Sequence, residues 1–257
     1  MKTINVLNNP YIINDKELIV ESNNEILNII VPKYFNSKIV FKNPSFKKLC
    51  LNLEEGSNVL IDLYSLVDLK LDIAIATDKD SSLSLKTITN MELALDVVVD
   101  LNGSSSSFFM KNLTVAKDKK AQITTKVNHN NKYTTSNVSN YGISLDNANI
   151  VYSTTGKIAK GNSKSVCEQL TRGIIAGASA SLKALPILLT DEYDVKANHG
   201  ASIGKMSDEE LFYLMSRGLS KNEAFKLIMS GIINPFLENL ILEDEKEKIY
   251  DSIYRLI

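Results

Sequence analysis

The chain has 257 residues, of which 44% are hydrophobic and 23% are charged, and its formal net charge is −1. A chain of this size and composition can bury a core as one or two domains, and nothing in it is typical of disorder. The near-zero charge gives no electrostatic reason to expect a nucleic-acid or anionic-membrane partner. No apolar run follows the first lysine and no stretch of eighteen apolar residues occurs, which predicts a cytoplasmic protein.

Motifs that mark an enzyme or a metal-binding module are missing from the sequence. Cys50 and Cys167 form no Cys-x-x-Cys pair, so neither a disulfide framework nor a zinc ribbon is encoded. No Walker lysine loop, Gly-x-Ser-x-Gly elbow or helix-opening Gly-x-Gly-x-x-Gly turn is present. These observations favour a protein that is not an enzyme.

The first part of the chain has the pattern of many short β-strands. From Lys38 onward apolar residues alternate with polar ones, as in the stretch from Leu69 to Ile75, and polar joints recur every ten to twelve residues. Periodicity alone fits a sandwich, a barrel or a stacked solenoid about equally. Asn-Gly hairpin dipeptides are nearly absent, with Asn102-Gly103 as the exception, and this favours the solenoid.

The composition changes near residue 206, where helices are predicted. Residues 198–204 are small residues around His199 and predict a loop. Ser207 with Glu210 has the spacing of a capping box, which predicts a helix that ends at Gly218. A second capping box, Ser220 with Glu223, predicts a helix that ends at Gly231. Asn234-Pro235 then predicts the start of a third helix, and a fourth follows near the C-terminus.

These residues resemble a known family. The string HGASIGKMSDEELFYLMSRGLSKNEAFKLIMSGI, residues 199–232, resembles the C-terminal signature of the SufB/SufD family of iron–sulfur cluster assembly scaffolds, and specifically its SufD branch. The segments Asp194 to Lys196 and His129 to Asn137 match further motifs of that family. The resemblance covers residues 127–240 and identifies the chain as a short SufD-like form without the N-terminal helical extension of longer relatives.

The resemblance implies a fold. Family members have a right-handed parallel β-helix, so we expect such a core in residues 1–206. Residues 207–257 are expected to form a small C-terminal α-helical domain packed at the end of the β-helix.

The resemblance also implies that His199 is a candidate ligand of an iron–sulfur cluster. Imidazole is a good iron ligand, and the glycine that follows leaves room for close approach. The alternative is a loop histidine that only hydrogen-bonds to backbone. His129 lies in an Asn-rich joint with Thr134 and Ser136, and we interpret it as structural.

Cys167 is a less favoured ligand. The cluster-binding cysteine of the SufB branch falls on Thr171 in this chain, and Cys167 lies four residues upstream, about 13 Å away along a regular strand. A small buried hydrophobe is the main interpretation of Cys167, and a substitute ligand is the alternative. The resemblance therefore implies that this chain contributes at most one nitrogen ligand to a transient cluster that a partner protomer completes, and the isolated chain is expected to bind no cluster tightly.

Two partners are implied. One is a SufB-like protomer, or a second copy of this chain, in a dimer. The other is a SufC-like ABC ATPase, which is expected to dock on the C-terminal helices at Phe212, Tyr213, Arg217 and Gly218, although a core position is the default interpretation of the two aromatic residues. Two further functions stay open, a β-helix protein that binds carbohydrate or processes polysaccharide, and an assembly protein of the same fold with no cluster.

Overall fold

The structure, a computed structural model, describes residues 1–257 and has seventeen strands in two sheets. One sheet contains nine strands: β1 (Lys2–Asn5), β3 (Glu17–Glu21), β5 (Asn36–Lys42), β7 (Asn58–Ser65), β9 (Ser82–Thr89), β11 (Ser107–Lys117), β13 (Thr135–Leu145), β15 (Val166–Ala176) and β17 (Lys196–Lys205). The other contains eight strands: β2 (Tyr11–Ile12), β4 (Ile26–Val31), β6 (Lys48–Leu53), β8 (Leu69–Thr77), β10 (Leu93–Leu101), β12 (Lys120–His129), β14 (Asn149–Ile158) and β16 (Ser181–Thr190).

The chain alternates between the two sheets, so that each strand except the first and last of its sheet pairs with the strands two before and two after it, always in parallel. This is a parallel β-solenoid, and the predicted parallel β-helix with C-terminal helices is confirmed. Asn102-Gly103 does not form a hairpin but lies at a corner between β10 and β11. Glycine is needed there because a Cβ atom would collide with the backbone of Lys79 in the preceding coil.

Inward-facing side chains stack in register from coil to coil. One column on the nine-stranded sheet runs through Ile61, Leu85, Met110, Val138 and Gln169. A neighbouring column becomes polar towards the C-terminal coils: Leu63, Thr87, Asn112, Asn140 and Thr171. The interior is thus mainly Leu, Ile and Val in the first coils, and increasingly hydrogen-bonded polar groups in the last ones.

Three helices follow the solenoid: α1 (Asp208–Ser216), α2 (Lys221–Leu237) and α3 (Lys246–Tyr254), with a single 3₁₀ turn (Glu243–Glu245) before α3. None has the length and apolar character needed to span a bilayer. The capping box at Ser220 and Glu223 is complete, whereas at the start of α1 only the Ser207 side chain accepts a bond, from the Glu210 N–H.

The structure corrects the predicted end of α2. The helix continues through Gly231 and Pro235 to Leu237, although both residues predicted a break. Met229, Ile233 and Leu237 recur at four-residue spacing and are buried, so packing of one face offsets the hydrogen bond that proline cannot make.

The position of the helices also differs from the prediction. α2 and α3 pack against the outer face of the nine-stranded sheet rather than at the end of the solenoid. That face carries buried apolar residues in register on β7, β9 and β11, namely Tyr64, Ile88 and Leu113. An outward face that is exposed to solvent is usually polar. The apolar residues on this face are instead buried by α2 and α3.

Buried polar contacts fix the helical segment on this face. Asp62 accepts a hydrogen bond of 2.6 Å from the backbone N–H of Ile241 and lies 3.8 Å from the Lys86 ammonium. Lys42 forms an ion pair of 2.7 Å with Glu245. Burial raises the pKa of Asp62, and the Ile241 N–H and Lys86 partly offset this effect.

We expect Asp62→Ala to lower the free energy of unfolding by about 1–3 kcal/mol, because the buried Ile241 N–H would lose its acceptor. Urea unfolding measures the change, and proteolysis should cut the region between α2 and α3 faster than in the wild type. Asp96→Ala removes an exposed carboxylate from β10 and should change stability by about 0.5 kcal/mol or less. Equal unfolding curves for the two variants would contradict the role assigned to Asp62.

Candidate functional site

The last coil of the solenoid has two unpaired strand edges. β16 and β17 are the terminal strands of their sheets, and each is ten residues long. Their outer backbone groups therefore have no strand partner within the chain, which is the usual state of a sheet edge that accepts another chain. We call this surface, formed by β16 and β17, the open end.

His199 lies in the middle of β17. The predicted loop at 198–204 is thus wrong, because these residues form most of an edge strand. His199 is in register with Gln169 on β15 and so continues the inward column of the nine-stranded sheet. Its side chain is exposed because no further coil covers it. An imidazole at this position can bind a metal ion or a group presented by a second molecule.

Gln169 is a residue that sequence reasoning missed. Its side chain is buried beneath the last strand, and its amide nitrogen donates a 3.1 Å hydrogen bond to the backbone oxygen of Ile187. The amide oxygen is buried without a partner. The only signal in the sequence is a polar residue at an inward position of an alternating strand.

Cys167 and Thr171 are both buried on the inward face of β15. Cys167 is in register with Ala197, two residues from His199, and lies opposite Gly156, where a Cβ atom would collide with the sulfur. Burial raises the pKa of the Cys167 thiol, and hydrogen bonds to Ser136 and Gln169 oppose this shift. A buried, protonated thiol is a poor metal ligand, and this environment favours the interpretation of Cys167 as a buried hydrophobe.

His129 has the structural role that we assigned to it. It is 1% exposed, and its two ring nitrogens are hydrogen-bonded to Thr134 Oγ1 at 2.8 Å and Ser136 Oγ at 2.9 Å. Burial lowers its pKa to about 4. The ring is therefore neutral at pH 7 and connects β12 to the start of β13.

The other predicted site residues lie on or just after α1, which begins three residues after β17 ends. Phe212 is 73% exposed and Tyr213 is 57% exposed, so the core position considered for them is wrong. Arg217 lies over the Tyr213 ring, 5.3 Å from its centroid, and Gly218 ends the helix with φ of +98°.

α1 projects from the rest of the structure. Leu211 is its one buried residue, and Met215 is 43% exposed. Two aromatic rings, one thioether side chain and one guanidinium on α1 and its C-cap are thus exposed, and we call these residues the α1 surface: Phe212, Tyr213, Met215 and Arg217.

Acidification should destabilise the protein through His129. The unfolded chain takes up a proton near pH 6.5, whereas the folded chain excludes it until about pH 4, so the free energy of unfolding falls by about 3 kcal/mol across this window. In urea unfolding between pH 7 and pH 4, His129→Gln should show a shallower dependence on pH. Parallel curves for wild type and His129→Gln would contradict this assignment.

Comparison with known proteins identifies the relatives of the chain. The sequence model described as "SUF system FeS cluster assembly, SufBD core domain" matches residues 72–232. The iron–sulfur cluster assembly protein SufD of Bacillus subtilis is 37% identical over 134 residues, which are 52% of this chain and 31% of that protein. SufD of Escherichia coli is 27% identical over 154 residues, 60% of this chain and 36% of that protein.

An iron–sulfur cluster assembly SufBD family protein of Pyrococcus horikoshii is 33% identical over 99 residues, 38% of this chain and 22% of that protein. The chain matches about a third of the length of the two SufD relatives. The family resemblance read from residues 127–240 is confirmed, and the match extends upstream into β8. Because the family model covers more than half of the chain, the chain belongs to the SufBD core family of the SUF system for iron–sulfur cluster assembly.

Proposed function

We propose that this chain is a non-catalytic scaffold subunit of a cytoplasmic SUF-type assembly complex. It pairs with a SufB-like protomer through the open end and binds a SufC-like ABC ATPase through the α1 surface. The observation that carries the proposal is the exposed His199 on the unpaired last strand, in a chain of the SufBD core family.

The chemistry of β16 supports pairing at the open end. Three apolar side chains on its outward face are exposed, Leu185 at 52%, Ile187 at 41% and Leu189 at 50%. An apolar strand with a free edge would aggregate unless another chain covered it. Strand addition satisfies the backbone groups, and the three side chains add apolar area to the contact.

Ligand chemistry favours a SufB-like protomer over a second copy of this chain. A homodimer would bring two His199 imidazoles together with no exposed thiolate, because Cys167 is buried and Thr171 has no sulfur. Iron–sulfur clusters are held chiefly by thiolates. A partner that contributes cysteines would complete the coordination of a transient cluster, which is the cargo of the complex rather than a resident cofactor of this chain.

His199→Ala should weaken iron binding about tenfold when iron and sulfide are reconstituted anaerobically on the heteromeric complex. Bound iron and visible absorbance are the measurements. Asn198→Ala, on the opposite face of the same strand, is the matched control and should bind iron as the wild type does. Cys167→Ala should also be neutral because the thiol is buried.

Equal iron content in wild type and His199→Ala would show that His199 is not a ligand. If the complex still assembled but held no cluster at all, the chain would be an assembly protein of the same fold without a cluster role. The other alternative, a carbohydrate-binding β-helix, gains no support from the family match.

The exposure of the α1 surface supports the proposed binding of the ATPase there. Aromatic residues and arginine carry most of the binding energy in many interfaces, and a helix that buries little of itself can lie in a groove of a partner. Because only Met206 and Ser207 separate β17 from α1, a force on α1 would also act on the strand that carries His199. This connection suits a subunit that an ATPase moves during its cycle.

Arg217→Glu and Phe212→Ala should each weaken co-purification with the ATPase by about tenfold or more. Arg255→Glu makes the same charge change at the end of α3 and should leave binding intact. Point variants are preferred to deletion of residues 207–257, since deletion would expose Tyr64, Ile88 and Leu113. Unchanged binding by the Arg217 and Phe212 variants would exclude α1 as the docking element.

A further inference from the structure

A concave site separate from the open end lies where α2 crosses the outer face of the nine-stranded sheet. Its volume is about 300 Å³, at the lower end of the range for small-molecule sites. We call it the cationic pocket, and its lining residues are Lys86, Lys111, Tyr141, Arg172, Gly231, Ile232, Pro235, Phe236 and Asn239.

The charged side chains that line this pocket are all cationic. Three cationic side chains line it, and none of the nine lining residues is acidic. Lys86 and Lys111 are in register on neighbouring strands, β9 and β11, and Arg172 on β15 is in register with Tyr141 on β13. Lys86 and Lys111 carry like charges on adjacent strands and repel each other, so the sheet holds this pair together at a cost in stability.

Two of the three cations have no partner in the chain. The Lys86 ammonium donates to the backbone oxygen of Asn239 and lies 3.8 Å from Asp62, so it has a structural role. By contrast, Lys111 and Arg172 form no ion pair and donate no side-chain hydrogen bond within the chain. All the donors of one guanidinium and one ammonium are therefore free.

One wall of the pocket is apolar, and it lies beside the free donors of Lys111 and Arg172. The Tyr141 ring packs edge-on against Phe236 with centroids 5.1 Å apart, and Pro235 adds a further apolar surface. Apolar walls strengthen the attraction between a cation and an anion beside them, because less water screens the charges. Arginine binds oxyanions through two parallel N–H bonds, and the chain has only three arginines.

We propose that the cationic pocket binds a small ligand that carries a multiply charged oxyanion, either a phosphate-type group or a polycarboxylate. Arg172 and Lys111 contact the anion, and the Tyr141, Phe236 and Pro235 wall excludes water from one side of it. This site lies on the outer face of the sheet, whereas His199 lies on the inward side of its last strand. It is therefore independent of the cluster role proposed for His199.

The test is calorimetric titration of the full-length protein at low salt with inorganic pyrophosphate and, separately, with citrate. We expect saturable binding of one anion per chain, and an increase in melting temperature that sodium chloride at equal ionic strength does not reproduce. Saturation by pyrophosphate alone would assign the phosphate-type group, and saturation by citrate alone would assign the polycarboxylate. Absence of saturable binding by either anion would overturn the proposal.

Two double variants distinguish specific binding in the cationic pocket from non-specific attraction of anions to surface charges. Lys111→Gln with Arg172→Gln should weaken the binding at least about tenfold, since both direct contacts are lost. Lys126→Gln with Lys157→Gln removes the same charge from exposed positions on β12 and β14 of the other sheet and should bind as the wild type does. Equal weakening in the two double variants, or undiminished binding by the first, would also overturn the proposal.

Discussion

Each strand of the solenoid satisfies its backbone hydrogen bonds only through the coil before it and the coil after it. This requirement keeps successive coils in register and so stacks their inward side chains in columns. It also means that the last coil cannot satisfy its own outer edge. The position of His199 follows directly, because it occupies the final place in a column that begins with apolar residues deep in the stack.

The helical segment buries apolar side chains that the solenoid itself leaves uncovered. A two-sheet solenoid exposes the outer faces of both sheets, and in this chain one of them carries apolar side chains that must be buried. α2 and α3 cover them, held by the Asp62 and Lys42 contacts. Once α2 is fixed in this way, α1 has little left to pack against, and its aromatic residues face solvent. The edge of the same helix forms one wall of the cationic pocket.

Local sequence patterns predicted the parts of the fold that depend on local physics. The two-residue alternation and the scarcity of Asn-Gly turns indicated a solenoid, and the Ser220–Glu223 spacing indicated the start of α2. The strand at His199 was missed because an edge strand without a covering coil needs no alternation of apolar residues. The run of α2 through Pro235 was missed because packing against a sheet distant in sequence decides it.

The candidate site was predictable only where the family signature covers it. The motif pointed to His199 and to α1, but the pairing of Gln169 with His199 depends on register between strands thirty residues apart. Lys111 and Arg172 are farther apart still, and no local pattern marks them as neighbours of one pocket. The stacking of coils brings these residues together, so their proximity can be predicted only when the number of residues in each coil is known.

The change from an apolar to a polar interior along the stack has a consequence for folding and assembly. Hydrogen-bonded Thr, Asn and Gln side chains gain less from leaving water than Leu or Ile do, so burial of apolar groups contributes less to the cohesion of the final coils than to that of the coils before them. Coils hold only their immediate neighbours, and opening at this end would therefore proceed one coil at a time. A protomer bound there would act as the missing next coil and suppress this fraying. If the proposed protomer binds there, the lifetime of the folded chain would depend on the concentration of that protomer, and a chain without one would unfold more readily.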